Sequence, residues 1–270
     1  MMKMFQGGLV TLSAFAVLGY ASGTYAEVMA EDPVKLMREV QEYASPGDES
    51  VRMQMKLVDR DGKTSQRSAA YTRKRRSAES VSSMKLIRFD APAEMDGSGV
   101  LTLENEHGPD DQWMYLPAFH ASRKIPSSNR SDRYMGTDFF FEDVSEDKIE
   151  QYRYALVGQD ERDGRRMVKI EQVPVDEMIK RDSVYGKKVQ WVDPERLLVA
   201  QVDYFDKAGK LIKRFQADGA TDAAGKWRWS KSSMSDLRIG HRTDIVYSDR
   251  KIDSGVSSRT FTVRYLERGR

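Results

Sequence analysis

The sequence contains no cysteine, and this absence excludes several kinds of site at once. Without cysteine the chain can form no disulfide, no thiolate metal site and no cysteine nucleophile. The N-terminus of an exported form also cannot be lipidated through cysteine, so we expect that the protein is not itself a lipoprotein.

Histidine is scarce as well. The three histidines, His107, His120 and His241, are scattered and lack the spacing that is typical of metal ligands. The sequence also lacks a Gly-x-Ser-x-Gly turn, a His-Glu-x-x-His helix, a phosphate loop and a dinucleotide fingerprint. We therefore predict that the protein is not an enzyme and holds no metal or cofactor.

The chain has little excess of charge of either sign. Its 44 Lys and Arg against 42 Asp and Glu give a formal net charge of +2. Proteins that bind nucleic acid usually present a strongly basic surface to the phosphates, so we expect no nucleic-acid partner. One basic run at residues 73–76 indicates either a contact with phosphate or anionic lipid, or a solvated strand end.

Only the N-terminus has a long apolar run. Residues 9–20 are apolar, and residues 24–26 end in a small residue, which is typical of a cleaved secretory signal and too short for a stable membrane span. We predict a cleaved signal peptide at residues 1–26 and a single domain at residues 27–270, exported and soluble outside the cytoplasm. Residues 28–30 offer a second cleavage site, and a retained anchor is the competing interpretation.

After residue 50, short segments in which apolar and polar residues alternate recur at hairpin spacing. They predict about a dozen strands, including one at residues 258–266, with a connector at residues 174–182. Asp32 followed by Pro33 begins the one convincing helix. The predicted fold class is α+β: a large curved antiparallel sheet or open barrel with a helix packed on it.

The alternating strands create one continuous apolar face. If the sheet curls, this face lines a hydrophobic cavity, which is a standard place for a ligand; alternatively, it packs against the helix. The side chains predicted to line it are Val51, Met53, Met55, Leu57, Met84, Leu86, Leu101, Leu103, Trp113, Tyr115, Trp191 and Tyr204.

The stretch from Asp111 to Val144 connects two runs of strands. Three consecutive phenylalanines cannot all face one side of a strand, so at least one should lie on a second surface such as a lid. Three nearby carboxylates suggest either acid–base chemistry or loop anchoring, and the lack of a nucleophile favours anchoring. The predicted motif or lid residues are Tyr134, Met135, Gly136, Asp138, Phe139, Phe140 and Phe141, and the carboxylates are Asp138, Glu142 and Asp143.

Residues 113–118, the pair Arg123-Lys124 and the run at residues 134–143 resemble the signature of the outer-membrane lipoprotein-sorting-like family. That family is related to the periplasmic carrier LolA and its receptor LolB. The likeness continues through residues 185–194 and as far as residues 261–266, and so covers most of the chain after residue 26.

The resemblance implies an incomplete β-barrel whose helices cover a hydrophobic cavity. It also implies a periplasmic carrier that binds a lipid or the acyl chain of a lipoprotein and delivers it within the bacterial envelope, as is typical of outer-membrane lipoprotein sorting. Relatives suggest an inner-membrane exporter of the resistance-nodulation-division (MMPL-like) class as a partner. The alternative is a non-catalytic accessory subunit of an envelope export complex that has no lipid ligand.

Overall fold

The computed structural model describes residues 32–268. The predicted signal peptide and its alternative cleavage site lie outside the described residues. Within residues 32–268, no helix is both long and apolar enough to cross a membrane.

Thirteen strands form one antiparallel sheet, and three helices accompany it in the described part of the chain. The helices are α1 (Pro33–Ala44), α2 (Glu177–Asp182) and α3 (Val263–Arg268). The strands are β1 (Asp48–Val58), β2 (Thr64–Arg75), β3 (Ser83–Ala91), β4 (Gly99–Leu103), β5 (Asp111–Leu116), β6 (Ala121–Ile125), β7 (Tyr152–Arg162), β8 (Arg165–Pro174), β9 (Tyr185–Asp193), β10 (Leu198–Asp206), β11 (Leu211–Ala223), β12 (Lys226–Asp236) and β13 (His241–Ile252).

The order of the strands explains the architecture. Across the sheet it runs β6-β5-β4-β3-β2-β1-β13-β12-β11-β10-β9-β8-β7, so the first and last strands pair in the middle and β6 and β7 form the two edges. The connection from β6 to β7, residues 126–151, must therefore pass from one edge to the other. We call it the crossing segment. The sheet is open, as in an incomplete barrel, and this confirms the predicted fold class.

Helix α1 begins where the sequence predicts. The Asp32 carboxylate accepts a hydrogen bond of 3.0 Å from the Lys35 amide, and Pro33 occupies the first turn, where its missing N–H costs nothing. The buried side of the helix packs on the inner face of strands β7 to β9. The residues in this contact are Leu36, Met37, Val40, Tyr154, Val168, Ile170 and Val192.

One expectation for local structure was incomplete, and another was wrong. The connector at residues 174–182 contains helix α2, which begins at Asp176 because its carboxylate caps the amides of Met178 and Ile179. The strand predicted at residues 258–266 is a 3₁₀ turn followed by helix α3. In place of strand pairing, its Phe261 and Leu266 pack against the outer face of β3 and β4, so tertiary burial overrides the local preference.

Candidate ligand-binding cavity

A cavity of about 420 Å³ lies between the inner face of the sheet and the crossing segment. Strands β1 to β4 form one wall, strands β11 to β13 form the other, and residues 134–146 of the crossing segment cover it. Its volume falls within the range of roughly 300–1,000 Å³ that is common for small-molecule sites.

Most of the cavity wall is apolar. The apolar and aromatic side chains in it are Val51, Met53, Met55, Tyr71, Ile87, Phe89, Val100, Tyr134, Phe139, Val144, Phe215, Trp229, Ile245 and Tyr247. Burial raises the pKa of Tyr71 and Tyr247, yet both side chains keep accessible surface. Since both line the cavity, this surface faces its interior.

The three phenylalanines of the crossing segment face three different environments. Phe139 lines the cavity and meets Phe215 edge-on, with ring centroids 6.4 Å apart. Phe140 stacks on Tyr185 beneath the cavity, and Phe141 packs edge-on against Tyr134 with ring centroids 5.2 Å apart. Phe139 therefore belongs to the cover of the cavity, while its two neighbours fix the segment to the core.

Asp138 anchors the crossing segment to strand β13. It is fully buried, and its carboxylate accepts hydrogen bonds of 2.7 Å from Arg133 and 2.6 Å from the Thr243 hydroxyl. His241 Nδ1 lies 2.7 Å from the same carboxylate, and the Asp138 amide donates to Thr243 Oγ1. Every side of this carboxylate is therefore used for positioning, so it has no free face for acid–base work.

Asp143 is a second anchor, to strand β11. Its carboxylate lies 2.5 Å from the Lys213 ammonium and accepts bonds from the Tyr185 hydroxyl and the Phe140 amide. The ammonium is also 3.6 Å from the centre of the Phe140 ring. Burial lowers the pKa of Lys213, while Asp143 opposes that effect. Both side chains are almost completely buried, so this pair holds the cover in place.

The backbone of the crossing segment bends sharply at Met135 and Gly136. Their φ angles are 51° and 73°, a left-handed conformation that glycine adopts readily and methionine does not. The Arg67 guanidinium donates to the Met135 carbonyl and holds the bend against β2. Glu142 lies buried after the bend, and burial raises the pKa of its carboxyl group.

One part of the cavity wall is polar and charged. Glu49 pairs with Arg250, and the Lys85 ammonium lies 2.6 Å from Glu104 and 3.2 Å from Glu146. Burial disfavours the charged form of Lys85, but the two carboxylates have the larger combined effect and raise the pKa of Lys85. Arg228 also lines the cavity and donates to two backbone carbonyls.

The structure places the predicted lining residues in four locations. Val51, Met53 and Met55 line the cavity, while Leu57 and Tyr204 lie in buried clusters next to it. Trp191 lies elsewhere, with its indole donating to Asp160. The remaining residues lie on the outer face against helix α3 and do not line this cavity; these are Met84, Leu86, Leu101, Leu103, Trp113 and Tyr115.

The residues of β3 to β5 that were predicted to line the cavity face outward because alternate side chains of a strand point to opposite faces of the sheet. Register pairs Met53 with Ala69 and Ala69 with Phe89, so Phe89, Ile87 and Lys85 share the inner face, and Leu86 must face outward. Strands β3 and β4 carry buried apolar side chains on both faces, so their alternation does not show which face is inside. Ile87, Phe89 and Val100 were missed for this reason.

Two arginines of the basic run at residues 73–76 hold the end of helix α1. Arg73 donates to the Ala44 carbonyl and the Ser45 hydroxyl. Arg75 donates to the Ser45 carbonyl and pairs with Glu42. Arg73 is 4% exposed, so this part of the run is not a solvated strand end.

Comparison with known proteins places the chain among similar folds. A family model whose description is "uncharacterized protein" matches residues 82–268. A solved structure described as an outer membrane lipoprotein-sorting protein domain, from Vibrio parahaemolyticus, is 28% identical with a TM-score of 0.80, covering 88% of this chain and 99% of that one. A DUF1329 family protein from Desulfovibrio piger is also 28% identical with a TM-score of 0.80, over 87% of this chain and 99% of that one.

A more distant structure shares the fold. A LolA superfamily protein from Nitrosomonas europaea has a TM-score of 0.65 at 17% identity, covering 85% of this chain and 98% of that one. No curated protein matches the chain.

Proposed function

The chain belongs to the family whose model matches residues 82–268 and has a LolA-like fold, and from this premise we propose that it is a periplasmic carrier for an acyl chain. The acyl chain would belong to a lipid or a lipoprotein, and the protein would deliver it within the bacterial envelope. We further propose that residues 1–26 are a cleaved export signal and that residues 27–270 form a single domain.

The observation that carries this proposal is the apolar cavity under the crossing segment. If a methylene group takes roughly the 30 Å³ that a water molecule occupies in the liquid, the cavity of about 420 Å³ holds about 14 such groups. That number corresponds to one acyl chain. Each methylene moved from water into the cavity stabilises the complex by about 0.8 kcal/mol.

A carrier must also release its cargo. Release requires a partner that favours an opened or empty form, since a ligand shifts an equilibrium only through its different affinities for two states. The crossing segment is the part that must move, and its buried anchors at Asp138 and Asp143 fix its closed position. As donor or acceptor partner we propose an MMPL-like inner-membrane exporter.

A pair of matched substitutions tests the carrier function. Val51 lies in the cavity wall, whereas Val246 lies on the outer face of the neighbouring strand β13 and is 48% exposed. Val51→Phe should fill part of the cavity and weaken the binding of myristate, whose fourteen carbons fill the available space, at least about tenfold, because displacing two methylenes already costs about 1.6 kcal/mol. Val246→Phe adds the same ring outside and should leave binding unchanged. Isothermal titration calorimetry measures both affinities.

Lipid analysis of the native protein complements this test. Protein purified from the bacterial envelope and examined by mass spectrometry should carry about one acyl chain per molecule when the cavity is occupied. Absence of co-purified lipid together with no laurate binding would contradict the carrier function. That result would favour the accessory subunit without a lipid ligand.

A further inference from the structure

We propose that the polar part of the cavity binds the anionic head, a carboxylate or a phosphate, of a single-chain amphiphile, with Arg228 as its main contact. This proposal rests on the carrier function above and adds the chemical class of the cargo. It starts from a buried arginine in the cavity wall that has no carboxylate partner.

Arg228 is a buried cation without a carboxylate partner. It is 7% exposed and lines the cavity. Its guanidinium donates to the Trp227 carbonyl at 2.8 Å and the Tyr43 carbonyl at 3.1 Å, and it lies 5.3 Å from the centre of the Tyr43 ring. Among residues 32–268 it forms no ion pair. Carbonyls and a ring face offset only part of a full charge, so an oxyanion from a ligand would complete the site.

The carboxylates in the cavity wall are already paired with other cations. Glu49 binds Arg250, Glu146 binds Lys85, and Asp143 binds Lys213. Burial lowers the pKa of Arg228, and among the nearby charges Glu49 opposes that effect while Arg250 and Arg73 add to it. Since the carboxylates of the wall are paired with other cations, an oxyanion in the cavity would supply the counter-charge that Arg228 lacks.

Further hydrogen-bonding groups lie in the same wall. The Ser232 and Tyr247 hydroxyls are 2.8 Å apart, and both residues line the cavity. Close by, Arg73 has the one buried side-chain nitrogen or oxygen without a hydrogen-bond partner in residues 32–268, its Nε. Guanidinium groups match the geometry of carboxylate and phosphate, and hydroxyls can donate to them as well.

The arrangement of the cavity suits an amphiphile. The apolar wall built from Val51, Met53, Phe139 and Ile245 adjoins the polar wall built around Arg228. A ligand with one acyl chain and one oxyanion can occupy both at once. A neutral chain would leave the guanidinium without a counter-charge, and a cationic amphiphile would be repelled by it.

Calorimetric titration of the wild-type protein with a matched series of twelve-carbon ligands tests the proposal directly. The series is laurate, dodecyl phosphate, 1-dodecanol and dodecyltrimethylammonium, each kept below the concentration at which it forms micelles, with inorganic phosphate alone as a further probe. We expect laurate and dodecyl phosphate to bind at least about tenfold more tightly than dodecanol, because a charge-assisted hydrogen bond contributes that much or more. The cationic ligand should bind most weakly.

Substitution of Arg228 provides the second arm. Arg228→Gln should reduce laurate affinity about tenfold or more and leave dodecanol affinity unchanged, whereas Arg228→Lys should retain part of the preference for the anion. The matched control is Arg196→Gln, since the Arg196 guanidinium stacks 4.1 Å from the centre of the Trp227 ring but does not line the cavity. It should change neither affinity.

The outcomes separate this proposal from the carrier function. Equal binding of laurate and dodecanol, or the tightest binding by dodecyltrimethylammonium, would overturn the anionic head and leave the carrier function standing. Inorganic phosphate binding as tightly as dodecyl phosphate would assign the site to a free anion and also overturn it. Failure of every twelve-carbon ligand to bind would contradict the carrier function itself. The wild-type series decides even when Arg228→Gln fails to fold.

Discussion

Replacing Lys213 with methionine should destabilise the protein strongly, because it leaves a buried carboxylate without its counter-charge. The Lys213 and Asp143 side chains are 0% and 1% exposed, and their charged atoms lie 2.5 Å apart. In Lys213→Met, Asp143 keeps its bonds from the Tyr185 hydroxyl and the Phe140 amide but loses its cation. Breaking a buried pair in this way typically costs about 3–5 kcal/mol.

Urea unfolding followed by circular dichroism measures this loss. The expected change is a large part of the roughly 5–15 kcal/mol that stabilises a typical domain. The double variant Lys213→Met with Asp143→Asn should recover part of the loss, since a neutral amide needs no counter-charge. The exposed pair of Lys180 and Glu177 is the control, and Lys180→Met should change stability by at most about 0.5 kcal/mol. A loss below about 1 kcal/mol for Lys213→Met would refute the reasoning.

Two further predictions concern stability. Leu266 is fully buried between helix α3 and the outer face of the sheet. Leu266→Ala should therefore lower the free energy of unfolding in urea by about 2–5 kcal/mol and leave laurate affinity unchanged. Weaker laurate binding by the folded variant would contradict the placement of Leu266 outside the cavity. Burial raises the pKa of Asp147, but the Lys188 ammonium and hydrogen bonds from Gln172 and Tyr152 outweigh it, so the pKa lies below its ordinary value. The contribution of Asp147 to stability is therefore present above about pH 4 and lost as the pH falls through the lowered pKa. Asp147→Asn should flatten the acid side of a plot of unfolding free energy against pH. An unchanged acid side would refute this.

The sheet was largely predictable because alternation is a local signal. In β1, the polar residues Arg52, Gln54 and Lys56 alternate with apolar ones, so the inner face follows from the sequence and Met53 and Met55 reach the cavity. In β3 and β4 that contrast is lost. Leu86 and Ile87 are adjacent and both buried, and only pairing with β2 shows that Ile87 faces inward.

The outer apolar face needed a second element that the sequence did not reveal. Helix α3 covers Leu86 and Leu101, but residues 261–265, which lead into it, alternate as a strand would. Had the helix been predicted, it would have indicated that this part of the sheet buries both faces. The cavity lining was predicted wrongly in β3 to β5 because helix α3, which covers their outer face, was predicted as a strand.

The anchors of the crossing segment depend on contacts between distant parts of the chain. Asp138 binds Thr243 across 105 residues, and Asp143 binds Lys213 across 70. Local patterns carry no information about such pairs. The sequence did indicate that three adjacent phenylalanines cannot all face one side, and the structure places Phe139, Phe140 and Phe141 in different contacts.

Locating a bound acyl chain tests the central claim most directly. A crystal of the protein with 12-bromododecanoate gives the position of the bromine from its anomalous scattering. The carrier function predicts one bromine site inside the cavity, among the side chains of Val51, Met55, Phe139 and Phe215. A bromine site on the outer face, or a saturated crystal with no bromine in the cavity, would contradict it.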